Sequence, residues 1–498
     1  MTTARSDAVL TDAPEQRLHP LSWLFELFNV LKQFIVPLAV LLFTGRGERY
    51  ELWGLIGAGV MVPLAVARYY SFRYRIGADR ILIRSGLLQR TAREIAFTRI
   101  QNVSLHQGPL HRLMGVAEVR LETGGGDKDA EGRMRVLGFA EAQRLQGIIR
   151  SQETPLPGAG ADSRAADGQV LLRLPTAELL KLGLVSNKGM LLVGAAFGGL
   201  WQLDRDMAAA AMGRAGDWLM DHGDDIAGGG PAAYALGGAL LLLAAFTLLR
   251  LISIVQALLH YHGFTLSGDA HRLSISRGLL NRFNGSLPRT RIQAWTLEQG
   301  WLQRRFKRYA LRVDAAAGTR VKSEGQESHW PLAPIADEAA IAGIIAAVLP
   351  AGSWPVADWR PLHPAAWKRR FKAGLSWLLL ATVALAAWLG PVASVLLLGL
   401  PVLYVQSKIW VRHAGYAHAK GLIAVREGWI GKTWRFAETR KVQAVYLKQS
   451  PFDRRHGMAA VFCDTVNAGS FEPALAVRYL PLAEARALHD AIAAAIAE

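Results

Sequence analysis

A single cysteine, Cys463, stands in a chain of 498 residues, so no intrachain disulfide framework exists. A lone cysteine in an apolar repeat reads as packing and not as a nucleophile. Charged residues are scarce at 19%, whereas hydrophobic residues reach 51% with 15 tryptophans, and mean hydropathy is positive. Such a composition points to the membrane before it points to a soluble enzyme. Motifs of catalysis are missing too. The chain contains no His-Glu-x-x-His, no Gly-x-x-x-x-Gly-Lys-Ser/Thr phosphate cradle and no Gly-x-Ser-x-Gly elbow. Neither an enzyme nor a cofactor is therefore expected. His19 and His363 have no clustered ligand set around them, so no metal site is expected either. The N-terminal MTTARSDAVLTDAPEQRLHP lacks the apolar core and the cleavage site of a signal peptide and is expected to remain in the mature chain. The formal net charge is +17, yet zinc-finger spacing, ribonucleoprotein motifs and a basic helical stripe are missing. The basic excess reads as Lys and Arg held beside membrane spans, and nucleic acid is not expected as a partner.

What is present is repetition. TRIQNVSLHQGPLHR begins at Thr98, TRIQAWTLEQGWLQR at Thr290 and RKVQAVYLKQSPFDR at Arg440. The three align without gaps: Arg99, Arg291 and Lys441 coincide, as do Gln101, Gln293 and Gln443, Gln107, Gln299 and Gln449, and Arg112, Arg304 and Arg454. At one fixed distance upstream stands a glycine, Gly86 in SGLLQR, Gly278 in RGLLNR and Gly428 in EGWIGK. The copies are too far apart for solenoid repeats, so each is a domain.

Apolar runs precede each copy in pairs: Phe28 to Phe43 with Leu52 to Tyr69, Leu184 to Leu203 with Ala232 to Ile254, and Phe371 to Leu389 with Val392 to Val411. Six bilayer crossings of about 20 residues each fit this pattern. Glu26, Asn29 and Lys32 in LSWLFELFNVLKQF make the first segment amphipathic, so it is expected to lie in the interface before the chain enters the bilayer near Phe34. Leu-His-Pro at 18–20 and 362–364, with Leu174-Pro175, opens each unit. Arg68, Arg73, Arg75 and Arg80 follow the first pair and Lys368, Arg369, Arg370 and Lys372 begin the third, whereas the loop after Leu203 is acidic. The loop is expected outside, with both termini and all three domains in the cytoplasm of a multi-pass inner-membrane protein.

Each domain alternates in short strands that turn at glycine and ends in an amphipathic helix, FAEAQRLQGIIR, PIADEAAIAGIIAAVL or PLAEARALHDAIAAAIA. The fold class is α+β: six transmembrane helices in three hairpins, each followed by a small barrel or sandwich with one mouth covered by its helix. The expected boundaries are a polar tail at 1–17, hairpins at 18–72, 173–262 and 367–412, domains at 73–152, 263–350 and 413–498, and linkers at 153–172 and 351–366. The acidic outward loop spans 204–231.

Paired spans followed by Gly-Leu-Leu, Thr-Arg-Ile-Gln and Gln-Gly-Pro-Leu resemble the bacterial pleckstrin-homology-like membrane proteins, the YdbS-like family, over nearly the whole chain. The resemblance implies a bent seven-stranded barrel capped by a C-terminal helix. It also implies a companion, a smaller membrane protein with one such domain, and a loose link to envelope protection against membrane-active agents. The third copy departs from the pattern with Arg-Lys-Val-Gln, and the second replaces Gly-Pro with Gly300-Trp301. Loops equivalent to the headgroup-binding loop of eukaryotic relatives carry single charges, at Arg90, Arg282 and Lys432, so phosphoinositide recognition is not expected.

The candidate binding residues are the repeated Arg99 and Gln101, Arg291 and Gln293, Lys441 and Gln443, together with the cluster Arg304, Arg305, Lys307 and Arg308. Two readings stand for the repeated pair. The cation and amide either bind lipid phosphate or satisfy backbone at a strand end, and the structural reading is favoured. The basic cluster is a solvated face by default, or a patch for anionic lipid beside the bilayer. The expected function is a scaffold whose three cytoplasmic domains bind a partner protein or the lipid surface. A transporter or export-complex component is the alternative.

Overall fold

The stretches that alternate apolar and polar residues are antiparallel strands in the computed structural model. The description covers residues 16–17, 20, 22–25, 67, 70–77, 79–86, 90–97, 100–123, 132–152, 169–187, 189–190, 193–195, 198, 213–214, 217, 231–315, 330–349, 355–419, 421–465 and 475–497. The first hairpin expected at 18–72, the amphipathic Glu26, Asn29 and Lys32, the loop 204–231 and Arg99 lie wholly or almost wholly outside these residues. Among the described residues, three helices are long and apolar enough to cross a membrane: Leu236–Tyr261, Ala366–Ala387 and Gly390–His413.

The chain divides into two bodies, one of residues 1–167, 174–265 and 274–286, the other of 168–173, 266–273 and 287–498. In the first body β1 (Gln16–Arg17), β2 (Arg73–Ile76), β3 (Arg80–Ser85) and β4 (Thr91–Ala96) form a sheet in that order. The chain then turns into β5 (Ile100–Gln107), α1 (Pro109–Leu113), β6 (Val116–Thr123) and β7 (Gly132–Gly138), and closes with α2 (Phe139–Gln152). Alternation puts Tyr74, Ile81, Ile83 and Ile95 of the first array and Val103, Leu105, Val119 and Leu121 of the second into one core. Ala142, Leu145 and Ile149, spaced along one face of α2, complete it. The Tyr74 hydroxyl donates to Glu141 Oε1 at 2.6 Å and ties the helix to the sheet. This body also holds α3 (Thr176–Val185), packed on α4 (Pro231–Tyr261). Gly183 and Gly189 allow that approach, because a Cβ at either would lie within 2.4 Å of Ile254 Cα or Ser253 Oγ.

The chain also carries β8 (Gln169–Arg173), β9 (Thr265–Gly268), β10 (Arg272–Arg277) and β11 (Arg282–Pro288). In the second body follow β12 (Ile292–Gln299), α5 (Trp301–Arg305), β13 (Tyr309–Ala315), β14 (Trp330–Ala336) and α6 (Glu338–Val348). Next come β15 (Arg360–Pro361), α7 (Ala366–Leu389), a 3-10 stretch Gly390–Gly399 and α8 (Leu400–His413). The chain ends with β16 (Gly415–Ala419), β17 (Leu422–Glu427), β18 (Lys432–Glu438), β19 (Val442–Lys448), α9 (Pro451–Arg454), β20 (Met458–Thr465), β21 (Leu475–Pro481) and α10 (Leu482–Ala497). Two sheets result, a seven-stranded one in the order β14-β13-β12-β18-β17-β16-β15 and a three-stranded one, β19-β20-β21. The third repeat buries Ile423, Val425, Val461, Val477 and Leu480 against Ala485, Leu488 and Ile492 of α10, and the Tyr416 hydroxyl donates to Glu484 at 3.1 Å as its counterpart does in the first.

Two features of the repeat have direct physical causes. The recurring glycine sits at φ 107° in Gly278 and 96° in Gly428, where a Cβ would come within 1.9 Å of Asn281 O and 1.8 Å of Gly431 O. Only glycine closes that turn without strain. The segments expected as tail and linkers also contribute strands. Gln16 and Arg17 pair with Tyr74 and Arg73, and Arg360 and Pro361 pair with Tyr416 and Gly415. In the second repeat Leu174 N donates to Phe264 O at 3.1 Å. Each hairpin position thus lies between two neighbouring strands of one domain.

Candidate functional site

The repeated phrase forms β5, β12 and β19 and the turn after each. Its second glutamine has the same task in every copy: Nε2 donates to Val116 O from Gln107 at 3.0 Å, to Arg308 O from Gln299 at 3.4 Å and to Met458 O from Gln449 at 2.8 Å. The carbonyl lies on the far side of the turn, so the amide staples the strand to the one that follows. These glutamines are partly or fully buried, and a buried carbonyl left without a donor is costly.

The first glutamine and its cation behave differently. Gln293 is buried, and its amide reaches only Arg291 O, at 3.4 Å. Gln443, at the same position one copy later, is exposed. Lys441 Nζ donates to Ile292 O at 2.6 Å and Arg289 O at 3.4 Å, and stands 3.4 Å from Glu438 Oε1. Burial pushes the Lys441 pKa down, while the Glu438 carboxylate works against that shift. The third copy's cation is therefore spent on the backbone where the second copy's phrase begins. Arg291 is half-buried in the 3-10 turn Arg289–Arg291. Arg99 and the Gln101 side chain lie outside the described residues.

This contact belongs to a strand joint. β12 of the second repeat pairs antiparallel with β18 of the third, with Gln299 opposite Lys432, Leu297 opposite Trp434 and Trp295 opposite Phe436. The Trp295 and Phe436 rings stack at 6.0 Å and 5°. In the first body β5 pairs with β11 in the same register, Gln107 opposite Arg282 and His106 opposite Phe283, with those two rings 5.0 Å apart.

The basic cluster lies beyond that strand. Arg304, Arg305 and Lys307 are exposed and Arg308 is half-buried, on and just after α5. Lys307 adopts φ 51°, which swings the chain back into β13. Two aromatic side chains share the turn, Trp301 at 62% exposure and Phe306. The equivalent turns repeat the mixture: Leu113, 82% exposed, beside His111 and Arg112, and Phe452, 55% exposed, beside Arg454 and Arg455. Large exposed apolar groups among cations are unusual for a water-facing turn and suit a bilayer interface.

Two of these turns touch the segment that opens their own repeat at corresponding places. His111 meets Phe25 with ring centroids 4.2 Å apart. Arg369, in the first turn of α7, binds Asp453 Oδ1 at 2.9 Å and Ser450 Oγ at 3.2 Å, with its guanidinium 4.9 Å from the Phe452 ring centre. Burial pushes the Asp453 carboxyl up, but hydrogen bonds from Ser450 and Arg369 outweigh it and hold the pKa below its ordinary value. The sequence places Arg369 only among the basic flanks and does not single out Asp453. Their signal was the Ser-Pro-Phe-Asp variant of the phrase beside a span that opens with cations.

Two polar side chains near helix ends, Arg250 and His363, have local partners. Arg250 Nη1 donates to Leu184 O, Ser186 O and Asn187 Oδ1 at 3.0, 2.9 and 3.2 Å, capping the end of α3. His363 Nδ1 accepts from Ala365 N at 3.1 Å at the start of α7. Among the described residues no group of three or more His, Cys, Asp or Glu side chains could hold a metal ion.

Comparison with known proteins agrees with the threefold geometry. Residues 26–153, 227–349 and 376–496 each match the bacterial PH domain. A curated relative, the UPF0699 transmembrane protein YdbT of Bacillus subtilis (strain 168), is 22% identical over 482 residues, covering 93% of this chain and 95% of the relative. No solved structure matches.

Proposed function

Since the chain belongs to the bacterial PH domain family and carries that domain three times in a membrane protein, we propose that it is a non-enzymatic scaffold whose turns rest on anionic lipid. The reading takes six spans in three hairpins, the first outside the described residues, and makes each domain a bent barrel capped by its helix. Orientation follows the basic flanks: domains and termini lie in the cytoplasm, under the inner membrane. A smaller one-domain relative is the protein partner this arrangement suits, and envelope protection is the process the scaffold serves.

The observation that carries the lipid reading is the Arg369–Asp453 contact, which holds an apolar and basic turn against the first turn of a candidate span. A cation so placed meets anionic headgroups at about 1 kcal/mol per charge. Four cations on the second turn, Arg304, Arg305, Lys307 and Arg308, then act together with Trp301 and Phe306. Tethering by the spans makes weak contacts effective through high local concentration.

The test uses full-length protein in nanodiscs with a polarity-sensitive label at Trp301→Cys. Labelling is selective, because Cys463 is buried and burial pushes its thiol up to about 12. Emission should shift to the blue in phosphatidylglycerol relative to phosphatidylcholine. Salt should reverse the shift, since the Debye length is about 10 Å at 0.1 M, and so should glutamine at the four cations. Identical emission in both lipids rejects the lipid reading and leaves the domains as protein-docking modules.

A further inference from the structure

Every joint between repeats described above joins the same two edges. The strand of the repeated phrase accepts, on its free side, the strand that precedes the next phrase: β5 takes β11 and β12 takes β18. The registers agree, since Gln107 faces Arg282 and Gln299 faces Lys432, and these residues are equivalent in the repeat. A rule that holds twice within one chain leaves two ends over. Among the described residues β4, the equivalent of β11 and β18, ends the sheet of the first repeat, and β19, the equivalent of β5 and β12, ends the sheet of the third.

Burial marks both as uncovered. Ile292 to Leu297 in β12 are all buried, whereas Gln443, Ala444, Tyr446 and Lys448 in β19 are exposed. Phe283 and Asn284 of β11 are half-buried and Gly285 and Ser286 buried, whereas their equivalents Thr91, Ala92, Arg93 and Glu94 of β4 are all exposed. An open strand edge is a template for pairing with another chain. Here donor edge and acceptor edge belong to the same molecule.

We propose that β19 of one chain pairs antiparallel with β4 of a second copy, so that the protein assembles head to tail through the joint it already uses twice internally. The occupant is a second copy because its β4 has the place in the repeat that both internal donors have. Carrying the register over puts Arg90 opposite Gln449, Thr91 opposite Lys448, Ala92 opposite Leu447 and Arg93 opposite Tyr446. The Tyr446 ring, 44% exposed and stacked on Phe462 at 5.2 Å, then offers its face to the Arg93 guanidinium, in place of the ring pairs of the internal joints. Such a contact is heterologous. It closes into a ring or runs on as a row, according to the rotation between copies.

Two differently tagged chains made in the same membrane, one with Thr91→Cys and the other with Lys448→Cys, test the register. Directly opposed residues in an antiparallel pair have Cα atoms about 4.5–5.5 Å apart, within disulfide reach. Mild oxidation should give the mixed dimer, while Glu94→Cys with Lys448→Cys, displaced by about 10 Å along the strand, should not. Tyr446→Lys sets a cation against Arg93 and should lower the yield on the order of fivefold; Arg93→Glu on the partner chain should restore it. Equal yield from both cysteine pairs, absence of the mixed dimer, or failure of the charge reversal to rescue overturns the proposal. Capture of a different protein by Lys448→Cys overturns the choice of occupant.

Discussion

Replacing Lys441 with methionine keeps the aliphatic stem and removes the ammonium that links two repeats. The wild-type Nζ serves Ile292 O at 2.6 Å and Arg289 O at 3.4 Å, beside Glu438 at 3.4 Å. Hydrogen bonds to charged groups contribute about 1.5–3 kcal/mol net. Burial already disfavours the charged lysine, as its lowered pKa indicates, so the lower part of that range applies. A loss of about 1.5–2 kcal/mol raises the opening equilibrium of the joint roughly ten- to thirtyfold. Hydrogen exchange of the full-length protein in nanodiscs reads this directly, at the amides of Trp295–Gln299 and Lys432–Phe436. Those amides should exchange faster by that factor, while β2 and β3 keep wild-type rates and the Trp301→Cys label keeps its response to anionic lipid. Wild-type exchange at the joint together with a lost lipid response would refute the reasoning, because the repeated cation would then be a phosphate ligand.

Gln449→Leu removes the 2.8 Å bond to Met458 O and should destabilise the third repeat by about 1 kcal/mol, seen as a lower thermal midpoint; Gln299→Leu, with its 3.4 Å bond, should cost less. Equal, negligible effects would remove the staple role. Reporter fusions after Ala130, Gln326 and Glu498 should all report cytoplasm, and one at Asp217 the outside. A periplasmic signal from any of the first three rejects the six-span arrangement.

The parts of the fold legible in the sequence are those with a period. RILIRS and the closing helices announce themselves by alternation and by apolar spacing, and the glycine of SGLLQR is explained by the positive φ of its counterparts. Two-residue strands have no period, so β1 and β15 were hidden in what reads as tail and linker. The joints were hidden for another reason. Gln293 and Gln443 are identical as letters, yet the one in the strand that pairs with β18 is buried and the other is exposed. The basic cluster was legible from composition, but the ion pair that sets an equivalent turn at the start of α7 joins residues far apart in sequence, Arg369 and Asp453.

The pairing of Arg360 with Tyr416 bears on how the protein is made. β15 leaves the ribosome ahead of α7 and α8 and finds its neighbour β16 only after the whole hairpin has been synthesised. Closing so long a loop costs little more than closing a short one, because the entropy of closure grows only with the logarithm of loop length. The demand is on order of events instead. On the proposed arrangement, in which α7 and α8 both cross the bilayer, the hairpin must be delivered with both ends returned to the same side before the two strands can meet. On that arrangement a hairpin inserted with one helix left behind would keep β15 from β16, so the sheet would be completed only after both helices had crossed.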